Sequence, residues 1–381
     1  MIYFDNSATT LQKPDEVFKA VYHILSSKGF GNPGRAAHAA AHHALTELYK
    51  TRIALSAIFN IEDPLQIALC QNATAALNLV IKSLFTPEDH LITTALEHNS
   101  VLRPLYQLEE AGAQLSIIGF DEQNGEPDYT AMENSIRPTT KAIIISTCSN
   151  VIGAVPNIER VHEICKKYQL PLILDAAQSA GVIPIDLSRY DNTIICFTGH
   201  KGLYGPQGTG GIAVNGTFPF KPVFSGGSGI NSFEKKHLSV MPDVFEAGTM
   251  NVPSFSGLTA GCLYIKEKKI ETIHAYLSDL RSYFVKAVSE IPHITVYAPD
   301  IEQPGPVVGL NIAGIPSGVV SQQLDEKYTI ATRPGAHCAP LVHKTLHTEE
   351  QGIVRFSFSS FNTKEEIDTA IKALYAISRT V

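Results

Sequence analysis

The sequence predicts an α/β protein, with a large unit on a mostly parallel sheet covered by helices and a smaller α+β unit after it. Three observations predict this. Between about residues 65 and 215, short apolar runs alternate with segments of helical pattern, and such alternation builds parallel sheets buried on both faces. After about residue 253 the pattern changes to a long helical stretch followed by shorter elements. The chain has 381 residues, too many for one small core and suited to a large domain with a smaller companion.

The elements follow in order. Residues 1–13 form a segment that joins two units, expected at 14–252 and 253–381. Residues 66–70, 91–94, 115–118, 142–146, 170–174, 193–197 and 211–214 have the length and apolar content of strands. Between several of them, residues 75–84, 101–111 and 158–168 carry apolar positions at helical spacing. The second unit opens with a helical stretch at 254–290, and shorter strands and helices follow at 295–297, 307–312, 319–324, 353–357 and 365–378.

Composition narrows the function classes. Hydrophobic residues make up 44% and charged residues 18%, an ordinary globular balance. A net charge of -7 with a pI near 6.1 does not suggest a nucleic acid or an anionic membrane as partner. The opening MIYFDNSATT has neither the basic nor the apolar region of a signal peptide. The most apolar stretch, 170–185, is interrupted by Asp175 and Gln178 and is too short to span a bilayer. The cytoplasm is the expected location. The six cysteines are scattered without a CxxC pair, so neither a zinc ribbon nor a disulfide framework is expected. Four lie in or beside apolar runs and read as core residues, whereas Cys338 lies among turn residues in RPGAHCAP. His38, His42 and His43 cluster early, with His38 and His42 at the i,i+4 spacing of zinc ligands on a helix, and His337, His343 and His347 form a second group. With no companion carboxylate motif, no metal is expected.

Ligands of open α/β sheets bind at the carboxyl ends of the strands. There, the strand at 170–174 is followed by Asp175-Ala-Ala-Gln178, and the next strand runs into Thr198-Gly-His200-Lys201-Gly202. An acid and a lysine thus emerge at one edge of the sheet. Singly, Asp175 reads as a helix cap and Lys201 as a solvated loop residue. Together, small neighbours and the glycine-rich stretch 205–211 let a ligand approach Lys201. A lysine that forms a Schiff base needs a low pKa in a protected cleft, and a carboxylate facing a pyridine nitrogen keeps it protonated.

A series of motifs then makes the resemblance specific. They are YFDNSATT at 3–10, FGNP at 30–33, NATAALNL at 72–79, EHNS at 97–100 and SNVIG at 149–153. DAAQSAG at 175–181, TGHKGLYGPQGTG at 198–210, FEAGTMN at 245–251, RPGAHCAP at 333–340 and VRFSFSSFNT at 354–363 complete them. In this order they resemble the class V aminotransferase-fold enzymes, in particular the cysteine desulfurases and selenocysteine lyases. The resemblance implies the type I fold of transferases that depend on pyridoxal 5'-phosphate.

It also implies roles at matching positions. Lys201 holds the cofactor as a Schiff base, Asp175 faces its pyridine nitrogen, and Asn150 and Gln178 its phenolic oxygen. His98 stacks over the ring and relays protons. Ala73, through its backbone, and Thr74 bind the phosphate, with Thr198 and His200 adding hydrogen bonds; a helix opening at Thr74 suits that anion. Thr249 reaches the phosphate of a neighbouring subunit, which implies a homodimer. Arg355 grips the substrate carboxylate, with Arg333 as a second candidate and Asn32 at the entrance. Cys338 is the expected nucleophile, with His337 favouring its thiolate.

The implied reaction takes L-cysteine to L-alanine and leaves the sulfur as a persulfide on Cys338 for an acceptor thiol, on a protein or otherwise. Lys201 removes the α-proton on the way. Ala75 stands where many desulfurases have glutamate, and residues 32–44 are rich in alanine and histidine, which leaves the substrate open. The alternatives are a cysteine or cystine C–S lyase, a selenocysteine lyase, an aminotransferase, or a cofactor-binding partner protein without catalysis.

Overall fold

The computed structural model describes residues 1–34, 38–229 and 232–380; residues 35–37 of the alanine- and histidine-rich segment lie outside it. The chain begins with β1 (Ile2–Tyr3), α1 (Asp15–Ser26) and α2 (Ala39–Phe59). A strand–helix series follows: β2 (Ile67–Cys70), α3 (Ala73–Leu84), β3 (His90–Thr94), α4 (Asn99–Ala111) and β4 (Gln114–Ile118). It continues through α5 (Tyr129–Asn134), β5 (Thr140–Ser146), α6 (Ile158–Lys167), β6 (Leu172–Asp175), β7 (Thr193–Thr198) and β8 (Gly210–Asn215).

These strands form one seven-stranded sheet in the order β2-β8-β7-β6-β5-β3-β4. All neighbours are parallel except β8, which runs antiparallel to β2 and β7. The buried Ile143–Ile145 and Leu172–Leu174 runs lie side by side in β5 and β6. Such unbroken apolar runs are what a sheet covered on both faces requires. Helix starts are fixed by side-chain caps: Asn72 accepts from Ala75 N, Asn157 from Arg160 N, and Thr363 forms a capping box with Glu366.

The C-terminal part contains α7 (Val252–Lys268), α8 (Ile270–Ser289), β9 (Ile294–Val296), β10 (Val307–Ile312), α9 (Ser317–Tyr328) and β11 (Ile330–Ala331). It ends with α10 (Pro340–Thr345), β12 (Val354–Ser357) and α11 (Lys364–Ser378). The expected single helical stretch at 254–290 is two helices, because Lys269 takes φ +64° between them. Strands β12, β10 and β9 form an antiparallel sheet. The N-terminal segment is stitched to it. β1 pairs with β11, Ser357 N donates to Phe4 O at 2.7 Å, and the fully buried Phe4 ring packs on Phe356 and Phe358.

Two features hold the frame around the sheet edge. Arg52 of α2 and Glu246 form a buried ion pair at 2.6 Å; Glu246 also accepts from Leu69 N and Arg52 donates to Ile67 O. A buried pair with its remaining hydrogen bonds made fixes geometry more than it adds stability. Here it ties α2, β2 and the segment before α7 together. At Gly210, a Cβ would lie 2.7 Å from Asn72 Cα. The missing side chain lets the start of α3 sit directly on β8. Among the described residues no helix is long and apolar enough to cross a membrane.

Candidate active site

A cavity opens at the carboxyl ends of β5, β6 and β7. Ser146, Asp175 and Cys196 lie side by side in register across these strands, so the strand ends present their side chains in a row. The cavity is lined by Ala73, Thr74, His98, Asn150, Asp175, Gln178, Thr198, His200 and Lys201. Residues named from five separate motifs are thus brought together by the fold.

One end suits an anion. Helix α3 begins at Ala73, one residue before the expected Thr74. Its cap, Asn72, takes Ala75 N, and the amides of Ala73 and Thr74 have no acceptor among the described residues. Free amides at a helix N-terminus form an anion site. The Thr74 hydroxyl is 2.7 Å from Ser100 Oγ, which is 2.9 Å from His98 Nδ1. Thr198 donates to Thr209 O at 3.4 Å, and His200 Nδ1 is 3.1 Å from Thr9 Oγ1. Burial lowers His200 to about 4, with Lys201 adding to the effect, so it meets a ligand as a neutral ring.

The other end holds charge. Asp175 closes β6, is buried, and accepts from Ala177 N at 2.9 Å. Burial raises its pKa, against the pull of that amide and of Lys201. Loss of hydration lowers Lys201 to about 8, with Arg355 adding and Asp175 opposing. His98 caps α4: its Nδ1 accepts from Ser100 N at 3.0 Å, so the neutral ring carries its hydrogen on Nε2. Burial, then Lys201, lowers it to about 4. Gln178 donates to Ser7 O at 3.2 Å from the cavity wall.

Glu97 was not assigned a role from the sequence although it opens EHNS. It is fully buried and accepts from Thr94 Oγ1, Ser146 N and Ser146 Oγ at 2.7, 2.9 and 2.7 Å. Burial raises it to about 7, with Asp175 adding repulsion. The only signal available in the sequence was a carboxylate directly after a strand-like run.

Cys338 is exposed, whereas Cys148, Cys165, Cys196 and Cys262 are buried and Cys70 is partly so. Burial pushes the thiols of Cys70, Cys148 and Cys262 to about 12. Cys338 does not line the cavity, but its loop is moored to it. Asn99 N, at the start of α4, donates to Cys338 O at 2.7 Å, and Asn150 Nδ2 donates to His337 O at 2.7 Å. The expected help from His337 is not found. Its ring is buried and donates through Nε2 to Ile353 O at 2.8 Å, and burial, then Arg355, lowers it to about 3. A neutral imidazole turned into the protein supplies no positive charge to a thiolate. Its partner His343 stacks on it with ring centroids 6.1 Å apart and also bonds inward, to Thr348.

Arg355 lies within β12 and is 2% exposed. It forms an ion pair with Asp5 at 2.7 Å and donates to Asn150 O at 3.0 Å, while its Nε is buried without a partner. Nη2 of the guanidinium expected to grip a substrate carboxylate is therefore engaged with Asp5 and Nη1 with Asn150 O. Arg333 forms an isolated antiparallel bridge with Arg355. Asn32 and Thr249 stay apart from the cavity. Asn32 Nδ2 donates to Thr249 Oγ1 at 3.3 Å, and Asn32 lines a separate cleft beside α2. The expected placement of Asn32 at the entrance is not seen within one subunit, where it lines that separate cleft instead. His38 caps α2 through Nδ1, and His43 bonds Gly29 O at 3.0 Å, so two of the three early histidines serve local backbone.

The fold and site have counterparts. The family model described as Aminotransferase class-V matches residues 2–370. A protein from Pyrococcus abyssi named "Probable cysteine desulfurase" is 31% identical, over 100% of this chain and 95% of that protein. One of the same name from Synechocystis sp. is 29% identical, over 100% of this chain and 91% of its own length. The apo structure of cysteine desulfurase from Thermococcus onnurineus NA1 superimposes with a TM-score of 0.92 at 29% identity, covering 100% of this chain and 95% of that one. With the family model spanning nearly its whole length and cysteine desulfurases as its full-length relatives, the chain belongs to the class-V aminotransferase family.

Proposed function

We propose that this protein is a cysteine desulfurase that depends on pyridoxal 5'-phosphate, converts L-cysteine to L-alanine and carries the sulfur as a persulfide on Cys338. The observation that carries this reading is the exposed Cys338, whose loop is moored by its backbone to the start of α4, next to His98 of the cavity that holds both Lys201 and Asp175.

The residues present fit the cofactor of this family. Unpaired amides at Ala73 and Thr74 suit its phosphate, a buried carboxylate at Asp175 suits a protonated ring nitrogen, and Asn150 Oδ1 is a buried acceptor without a partner. Bound there, the cofactor supplies an electron sink for a carbanion at the substrate α-carbon. The rest is done by the chain. Lys201 captures the cofactor, and its amine, lowered to about 8, takes the α-proton near neutral pH. His98 and His200, both neutral, present rings and N–H groups without competing for that proton. Arg355 binds the substrate carboxylate. The Cys338 thiolate attacks the substrate sulfur: an S–S bond forms, the C–S bond breaks, its electron pair stays with carbon, and protonation there gives alanine. An acceptor thiol then takes the sulfur.

In a homodimer, Thr249 of one copy reaches the other's phosphate and Asn32 borders the other's entrance. This agrees with their exposed positions away from their own cavity. The protein acts in the cytoplasm, as two units at 14–252 and 253–381.

The test is to load purified protein with pyridoxal phosphate and quantify alanine, pyruvate and sulfide from L-cysteine with a reducing thiol present. Alanine and sulfide in equal amounts are expected. Pyruvate in place of alanine would transfer the protein to the C–S lyases.

The Asp5 contact makes a further prediction. A substrate carboxylate competes with Asp5 for one guanidinium. In Asp5→Asn the competitor loses its charge and Arg355 stays buried without a counter-ion, a costly state that substrate relieves. The expected result is a KM for L-cysteine about threefold to tenfold lower, with kcat changed less. An unchanged KM in steady-state assays would mean that Arg355 is a structural ion pair and that the carboxylate binds elsewhere.

A further inference from the structure

We infer that Asn150 is a positioning residue that couples the cofactor cavity to the Cys338 loop, because its amide lines the one and holds the other. The inference rests on the desulfurase reading above and names what places its nucleophile.

Asn150 follows β5 in a turn and is 6% exposed. Three connections meet in it. Its side chain lines the cavity. Its Nδ2 donates to His337 O at 2.7 Å. Its backbone carbonyl accepts from Arg355 at 3.0 Å. Nδ2 carries two hydrogens and the loop uses one of them, while Oδ1 is buried without a partner. The amide is therefore half-satisfied by the loop, and its remaining capacity is free for a ligand in the cavity.

The loop needs holding. His337 and Cys338 are consecutive non-glycine residues at φ +50° and +56°, a conformation that side chains with a Cβ adopt only under constraint. Each strained residue has its carbonyl pinned, His337 by Asn150 Nδ2 and Cys338 by Asn99 N, and the His337 ring is pinned to Ile353 O. Without the Asn150 donor, one of three tethers is gone and the pair relaxes toward an ordinary backbone conformation, which turns the Cys338 side chain. Conversely, a ligand that engages the free half of the amide orders the same group that holds the loop. Such coupling is reciprocal: what fills the cavity sets the presentation of Cys338, and the loop bears on what fills the cavity.

Cys338 is the exposed cysteine, so alkylation by iodoacetamide, read by peptide mass spectrometry, reports on the loop without requiring turnover. The rate is measured on apoprotein and on protein saturated with pyridoxal phosphate, for the natural sequence and for Asn150→Ala. One buried hydrogen bond is worth about tenfold in a local opening equilibrium. The expected results are alkylation slower by about that factor on loading the natural protein, faster by a similar factor in apo Asn150→Ala, and no dependence on loading in the variant. A rate indifferent to loading in the natural protein, or an undiminished dependence in the variant, overturns the inference. Should the variant fail to fold, hydrogen exchange of the Asn99 amide in the natural protein, with and without cofactor, decides: exchange unaltered by loading overturns it as well. Alanine production from L-cysteine separates the two readings. Alanine without coupling removes this inference alone, and coupling without alanine removes the desulfurase reading alone.

Discussion

Lys201→Ala will lose turnover of L-cysteine by about 10³-fold or more, the largest effect expected of any single substitution. In the proposed mechanism two functions sit on one nitrogen: covalent capture of the cofactor and movement of the α-proton. Neither passes to a neighbour, because the other bases of the cavity, His98 and His200, are held at about 4 and engaged through Nδ1. The Ala73 and Thr74 amides and Asp175 are untouched, so the variant should still bind pyridoxal phosphate without the covalent bond. Absorbance titration and a borohydride trap separate the two: the natural protein is trapped covalently and the variant is not. Retention of more than about a tenth of the turnover would move the proton transfer to another group.

The pH dependence follows with its sign. Capture needs the neutral amine, and Lys201 is lowered from 10.5 to about 8 by lost hydration. At pH 7 such an amine is neutral in roughly one molecule in ten, against roughly one in three thousand for an ordinary lysine. The capture rate of apoprotein should therefore rise about tenfold per unit below pH 8 and level off above it. A rise continuing past pH 10 would mean that the cavity does not depress the lysine.

Cys338→Ala is the second large effect. It should reduce alanine formation from L-cysteine by about 10² to 10³-fold while leaving cofactor capture at Lys201 intact. The thiol is exposed and its neighbours His337 and His343 bond inward, so no other nucleophile stands beside it on the loop. After one turnover without acceptor thiol, intact mass should show one added sulfur in the natural protein and none in the variant. If pyruvate and sulfide appear at similar rates in both proteins, Cys338 is not the nucleophile and elimination accounts for the chemistry. A loss of cofactor capture in Cys338→Ala would instead point to a collapsed loop, through the contacts to Asn99 and Asn150.

The inner strands of the sheet were legible because they are buried on both faces and so are written as apolar runs, as in Ile143–Ile145 and Leu172–Leu174, whereas the edge strand β4 keeps Gln114 and Ile117 exposed. All seven strands read from residues 66–214 are present, with ends moved by up to two residues. Helices α1 and α2 were not read. The apolar residues Phe18, Tyr22 and Leu25 of α1 are exposed, and the alanine-rich start of α2 has no strong amphipathic period. The break at Lys269 was equally hidden, since the two helices keep helical composition on both sides of a single left-handed residue.

The sequence by itself determined the fold class and the family and pointed to candidate reactive groups, because those depend on residue type in order along the chain: a carboxylate and a lysine after adjacent strands, and a cysteine among turn residues. The tertiary structure alone decided how these groups are paired and protonated. Asp5 meets Arg355 across 350 residues and Asn150 meets His337 across 187, separations at which local sequence carries no information about contact. It also turned His337 inward as a neutral ring and lowered Lys201, since burial sets both pKa values, and burial belongs to the packed chain rather than to any segment of it.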